Sequence, residues 1–140
     1  MEWAHDRAGV RGVRALRASL ARLARDGRTD SRLERRVRRW LAAHGFEPEP
    51  GTYRVTLDSG RIVEFDIVFL PERLAIEVDG VRWHGSPGSQ HADLWRDREA
   101  ADSGWDVLRV SERDLDERGG ELAAHLWRRL AARRQLLGLG

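Results

Sequence analysis

The stretch Arg61–His84, RIVEFDIVFLPERLAIEVDGVRWH, decides how the rest of the chain is arranged. Apolar and polar residues alternate over 62–69 and again over 74–79, the period-two pattern of half-buried strands. Leu70, Pro71, Glu72 and Arg73 form a connection between them that suits a hairpin. A plain antiparallel ladder closed by that loop sets Asp66 opposite Glu77 and Glu64 opposite Asp79. Val63, Phe65, Ile67, Phe69, Leu74, Ile76 and Val78 then share one apolar face, and the four carboxylates crowd the other. Directly opposed like charges destabilise a strand pair, and a divalent cation would offset that cost. Asp66 and Glu77, oxygen donors on adjacent strands, suit a hard cation such as Mg2+ or Mn2+. A solvated acidic face overlaid by arginine ion pairs explains the same pattern, so both readings stand. His84, just past the second strand, adds an imidazole able to take a proton from a metal-held water near neutral pH.

Working outward, residues 8–26 read as an amphipathic helix with Val13, Leu16, Leu20 and Leu23 on one stripe. A second helix covers 31–44, with Leu33, Val37, Trp40 and Leu41 inward and Gly45 as its stop. Ser31 and Glu34 fit a capping box at its start, a structural explanation of Glu34 that competes with any catalytic one. Residues 52–57 form a strand, which makes a three-stranded meander with the hairpin. After a Gly-Ser-Pro-Gly-Ser loop, a helix over 90–103 carries Asp93 and Asp97 on one face, flanked by Arg96. Trp105–Val110 then reads as a strand parallel to 74–79, reached by a right-handed crossover. Gly119-Gly120 precedes a last helix over 121–137, with Leu122, Leu126, Leu130 and Leu137 on its stripe. Trp40, Trp105 and Trp127 fit buried positions; Trp3, Trp83 and Trp95 are candidates for a surface.

The order is α-α-β-β-β-α-β-α, an α/β sandwich around a mixed four-stranded sheet. It reads as one domain over 1–140: a helical extension over 1–30, a core over 31–115 and a C-terminal helix over 116–140. The chain has no cysteine, which excludes disulfides and thiolate chemistry. No apolar run approaches a membrane span and the N-terminus is unlike a secretory signal, so a cytoplasmic protein is expected. All 25 basic residues are arginine, which excludes any catalytic lysine. Net charge is only +2, yet arginines crowd 28–39 and 128–134, as phosphate-backbone contact would require. Helix faces solubilised by arginine are the alternative.

Several short stretches, in this order, resemble the PD-(D/E)xK nuclease superfamily, and within it the very-short-patch-repair (Vsr-like) endonucleases and their uncharacterised bacterial relatives. They are Ser31–Glu34, Phe65-Asp66, Ile76–Gly80, Trp83-His84-Gly85, Asp93 with Arg96, and Gly104–Arg109. The resemblance implies a restriction-endonuclease-like three-layer fold. It also implies a magnesium-dependent DNA endonuclease in DNA repair or defence, leaving 5′-phosphate and 3′-hydroxyl ends. By resemblance, Asp66 binds the metal, His84 activates water, and Asp93 completes the centre, with Asp97 one turn on as its rival; the residues' own pattern adds Glu77 as a second metal ligand, with help from Asp79 or Asp93. Glu34 matches a first-helix glutamate of the same centre. Trp83 and Arg82, with Arg35, Arg36, Arg39 and Arg96, fall to the DNA. Asp79 occupies the superfamily's lysine position, and without cysteine no zinc is expected. Some relatives are inactive nucleic-acid-binding or antitoxin-like regulatory modules, which is the alternative function. Relatives often carry a separate DNA-recognition domain.

Overall fold

The computed structural model describes residues 31–80 and 87–140, with side chains described from His91 onward in the second stretch. The helix expected over 8–26, together with Arg82, Trp83 and His84, lies outside the described residues. Leu33, Val37 and Leu41 recur at helical spacing and are all buried, so Ser31–Ala43 (α1) presents one apolar face. Ser31 itself lies within the helix rather than outside it as a cap. Gly45 ends the helix at φ +84°, where its amide donates to Ala42 O (3.1 Å) and the Phe46 amide to Leu41 O (2.9 Å). This left-handed stop is what a glycine after a helix provides. Gly104 closes Pro87–Asp102 (α2) in the same way, at φ +91°.

The strands are Tyr53–Thr56 (β1), Ile62–Phe65 (β2), Ile67–Phe69 (β3), Leu74–Asp79 (β4) and Asp106–Ser111 (β5). β3 and β4 pair antiparallel, with Ile67 opposite Ile76, Val68 opposite Ala75 and Phe69 opposite Leu74, the register the hairpin predicts. β5 lies parallel to β4, as the helical crossover predicts. The single strand expected over 62–69 is instead broken at Asp66. β2 turns to β1, so Glu64 lies opposite Arg54 rather than Asp79. The sheet is therefore not four-stranded; a two-stranded and a three-stranded piece meet at the break.

That break also reassigns the apolar face. Ile67, Phe69, Leu74 and Ile76 pack with Leu33, Val37, Leu41, Val110, Leu126 and Leu130. Val63 and Phe65 pack on the other side, with Val68, Ala75, Ala100 and Trp105. Period-two alternation cannot put Phe65 and Ile67 on opposite sides unless the backbone is reset between them, and Asp66 is where the reset occurs. The result is a small α/β domain whose mixed antiparallel and parallel sheet is flanked by α1 and the last helix on one face and by α2 on the other.

The last helix, Glu112–Leu136 (α3), starts nine residues before the expected position. A capping box at Ser111 explains this: its hydroxyl accepts from the Asp114 amide (3.2 Å), and the Asp114 carboxylate accepts from the Ser111 amide (3.0 Å). Gly119-Gly120 does not start the helix but marks a kink, with Arg118 at φ −142°, ψ 33°. Arginines tie α3 to the sheet: Arg129 to Asp106, Arg133 to the Glu72 carbonyl (2.9 Å) and Arg134 to the Glu72 carboxylate (3.0 Å). Trp127 is 50% exposed rather than buried, lying across Phe46 with ring centroids 4.2 Å apart. No helix among the described residues is long and apolar enough to cross a membrane.

Phe65 is wholly inaccessible and fills the junction between the two sheet pieces. Phe65→Ala is expected to cost about 3–5 kcal/mol in a urea titration. Trp127→Ala, removing a side chain already half in water, is expected to cost markedly less.

Candidate functional site at the Asp66 bend

The β3–β4 ladder has its last backbone pair at Ile67 and Ile76. Beyond it, side chains take the place of strand bonds. The Asp66 amide donates to Glu77 Oε2 (3.2 Å), and the Val78 amide donates to Asp66 Oδ2 (3.0 Å). The two carboxylates expected to face each other across a ladder are thus brought together, but by exchanging bonds with each other's backbone.

Two guanidinium groups enclose them. Arg96 reaches from α2 and donates through Nη1 to Glu77 Oε1 and through Nη2 to the Glu64 carbonyl, each at 3.2 Å. Its guanidinium also lies 5.6 Å from the centre of the Phe65 ring. Arg109 sits beside Glu77 in the parallel register and grips both oxygens of Asp97, at 3.1 Å and 3.0 Å. Asp97 in turn lies 4.0 Å from Arg96. Alternation along β5 puts Arg109 on the α2 side of the sheet and Val110 on the other, which is why a charged side chain emerges there.

Glu77 is the electrostatic centre of the group. Its side chain is only 13% exposed, and burial pushes its carboxyl up to about 7, with the Asp66 charge adding to the rise. Arg96, the Asp66 amide and Arg109 pull the other way without restoring the ordinary value.

The other expected residues fall in different places. Asp79 is exposed and lies opposite Ser111 on β5. Asp93 is near enough to Arg109 to act on its charge, but Asp97 is the helix carboxylate bonded to it. Glu34 lies on α1, 3.7 Å from Arg38 Nε. Arg36 is bound to Glu112 and Asp116, and Arg96 to Glu77, whereas Arg35 and Arg39 are exposed and have no partner among the described residues. What sequence reasoning missed is the partners of two arginines: Arg96, expected on the DNA, is bonded to Glu77, and Arg109 to Asp97. The available signal was position: Arg96 sits on the same α2 face as buried Ala100, and Arg109 is a charge set between the apolar Leu108 and Val110 of β5.

Asp66 and Glu77 supply hard oxygen donors of the kind Mg2+ takes, and it is commonly held by one or two carboxylates with water completing its shell. The donor chemistry fits. Among the described residues, however, no group of three or more Asp, Glu or His side chains is placed to hold a metal ion. No family model matches the chain, and no solved structure matches it. It is similar to two curated proteins of Mycobacterium tuberculosis, uncharacterized protein MT2308 (strain CDC 1551 / Oshkosh) and uncharacterized protein Rv2248 (strain ATCC 25618 / H37Rv). Each is 28% identical over 105 residues, which are 75% of this chain. The chain spans only 39% of the length of these relatives.

A carboxyl whose value is raised in the folded state is protonated there while still ionised in the unfolded chain. Folding is therefore favoured most below the ordinary glutamate value of 4.5, and that contribution is lost as pH rises to about 7. Glu77→Gln carries no such proton. Between pH 4.5 and 7 the stability of the parent is expected to fall relative to Glu77→Gln, measured by chemical denaturation at several pH values. Parallel pH profiles for the two proteins would contradict the assignment.

Proposed function

We propose that the domain is a metal-dependent DNA endonuclease, on a restriction-endonuclease-like version of the sandwich, with a setting in DNA repair or defence. The observation that carries this reading is the pairing of Asp66 and Glu77 at the break in the sheet. Two acidic side chains are held against one another in a half-buried place, one of them strained toward protonation. Asp66 and Glu77 would hold Mg2+ or Mn2+, and the cation, when bound, would polarise the scissile phosphate. Binding would require Glu77 to give up its proton and to share or release Arg96. Asp97 holds Arg109 beside the pair, where its guanidinium can face a phosphate oxygen. His84, five positions past the end of β4 in sequence and outside the described residues, is assigned as the base that takes the proton of the attacking water. Arg35 and Arg39, exposed and without a partner among the described residues, carry guanidinium groups suited to backbone contacts, which position a duplex without reading its sequence.

One observation favours a second reading, a non-catalytic nucleic-acid-binding module. Arg96 already neutralises Glu77, and backbone amides donate to both acids, so the cluster is satisfied without a cation.

Incubation of supercoiled plasmid with the purified chain in Mg2+, Mn2+ or EDTA separates the two. The endonuclease reading expects metal-dependent nicking that falls about a hundredfold or more in Asp66→Asn, Glu77→Gln and His84→Ala. Salt-sensitive DNA binding without nicking, unchanged in all three variants, would favour the module. Nicking that survives every substitution would mean a contaminating nuclease or a different site.

A further inference from the structure

We propose that Arg38 is the positioning residue of the carboxylate pair: it fixes the bend at Asp66, and Glu34 orients it from one helical turn away. The first support is convergence. Arg38 donates to three carbonyls, those of Glu49 (3.2 Å), Gly51 (2.9 Å) and Asp66 (2.9 Å). No strand supplies those bonds, because the Asp66 carbonyl sits where the β2–β1 pairing has ended and the β3–β4 pairing has not begun.

With Arg38 in place, each polar part of Asp66 has a partner from a different element. Its amide goes to Glu77, its carboxylate takes the Val78 amide, and its carbonyl takes Arg38. A bend with no ladder of its own is thereby held to one geometry, and the Asp66 carboxylate is aimed at β4. A guanidinium suits this, since its planar fork spreads five donors over three nitrogens, whereas an ammonium presents its three donors from one atom.

The second support is the anchor. Arg38 springs from α1 between Val37 and Leu41, and both of those residues are wholly inaccessible. The donor therefore hangs from a rigid part of the core. The third is Glu34, whose carboxylate lies 3.7 Å from Arg38 Nε at the helical i, i+4 spacing. This gives Glu34 a role through Arg38, not as a ligand of a metal. The proposal deepens the endonuclease reading, because it explains how its two acids are held, but its primary test needs no DNA.

The experiment uses the full chain, isotopically labelled, as parent, Arg38→Met, Arg38→Lys and Glu34→Gln. Amide exchange at Val78 reports the bond to Asp66 directly, with the Leu126 amide in α3 as a control for the fold. In Arg38→Met, Val78 is expected to exchange about tenfold faster or more, with Leu126 unchanged. Arg38→Lys should not restore the slow Val78 exchange, and Glu34→Gln should speed it in the same direction by less. Plasmid nicking should lose about ten- to a hundredfold in kcat with KM little changed.

Parent-like Val78 exchange in a folded Arg38→Met would overturn the proposal. If that variant does not fold, parent-like Val78 exchange in both Arg38→Lys and Glu34→Gln overturns it. The expected spectroscopic changes in a chain that never cleaves DNA would uphold the positioning role and remove the endonuclease reading.

Discussion

The exchange of bonds between Asp66 and Glu77 is the constraint on which this sheet depends. At Asp66 the chain leaves one strand partner and takes another, and an unpaired amide at such a junction carries a desolvation cost. Glu77 accepts from the Asp66 amide, and Asp66 accepts from the Val78 amide. The carboxylates serve as the missing carbonyls of the ladder. They let the backbone change phase, so that Phe65 and Ile67 bury on opposite faces, and the two layers of core follow from that change.

A chain whose only basic side chain, apart from histidine, is arginine uses it chiefly as an internal connector. Arg129, Arg133 and Arg134 fasten α3 to the sheet edge, Arg36 binds the start of α3, and Arg61 binds Glu99 across to α2. The crowded basic segments therefore offer less free charge than their composition suggests. Exposed pairs of this kind are individually weak. The forked ones that satisfy carbonyls at strand ends do more, because the groups they satisfy have no strand partner to bond. Among the described residues of α1, Arg35 and Arg39 remain exposed without a partner, while exposed Arg32 lies 3.6 Å from Glu112.

The hairpin register, the parallel placement of β5 and the Gly45 stop were legible because each rests on local chemistry: period-two alternation, a crossover helix, a glycine able to take positive φ. The Asp66–Glu77 meeting was legible for the same reason. The break at Asp66 was not, because alternation runs through Glu64, Phe65, Asp66 and Ile67 without interruption, and only competition between β1 and β4 for the same segment forces the reset. Likewise the start of α3 was hidden by Gly119-Gly120, which reads as a boundary. The cap at Ser111-Asp114 outweighs it, and the glycines survive as a kink. Trp127 looked buried by its spacing, but it lies over Phe46 at the edge of the core, where one ring face meets carbon and the other meets water. Partners separated by many residues, such as Arg96 and Glu77, leave no local trace; only the face of the element on which each sits hints at them.

The cost of the arrangement bears on its purpose. A buried glutamate pushed toward neutrality by a neighbouring acid subtracts from stability wherever it is ionised. A neutral side-chain amide at position 77 could accept the Asp66 amide bond without that penalty. Arg96 reduces the penalty but does not remove it, since the Glu77 carboxyl remains raised to about 7 with the guanidinium in place. Local departures from the most stable choice tend to mark functional places. Here the departure falls on a residue bonded to the Asp66 amide at the break between the sheet pieces, beside an aspartate held from three directions. A structural splice alone would need the hydrogen bonds; it would not need the second charge. The second charge is what a cation, or a proton in transit, would use.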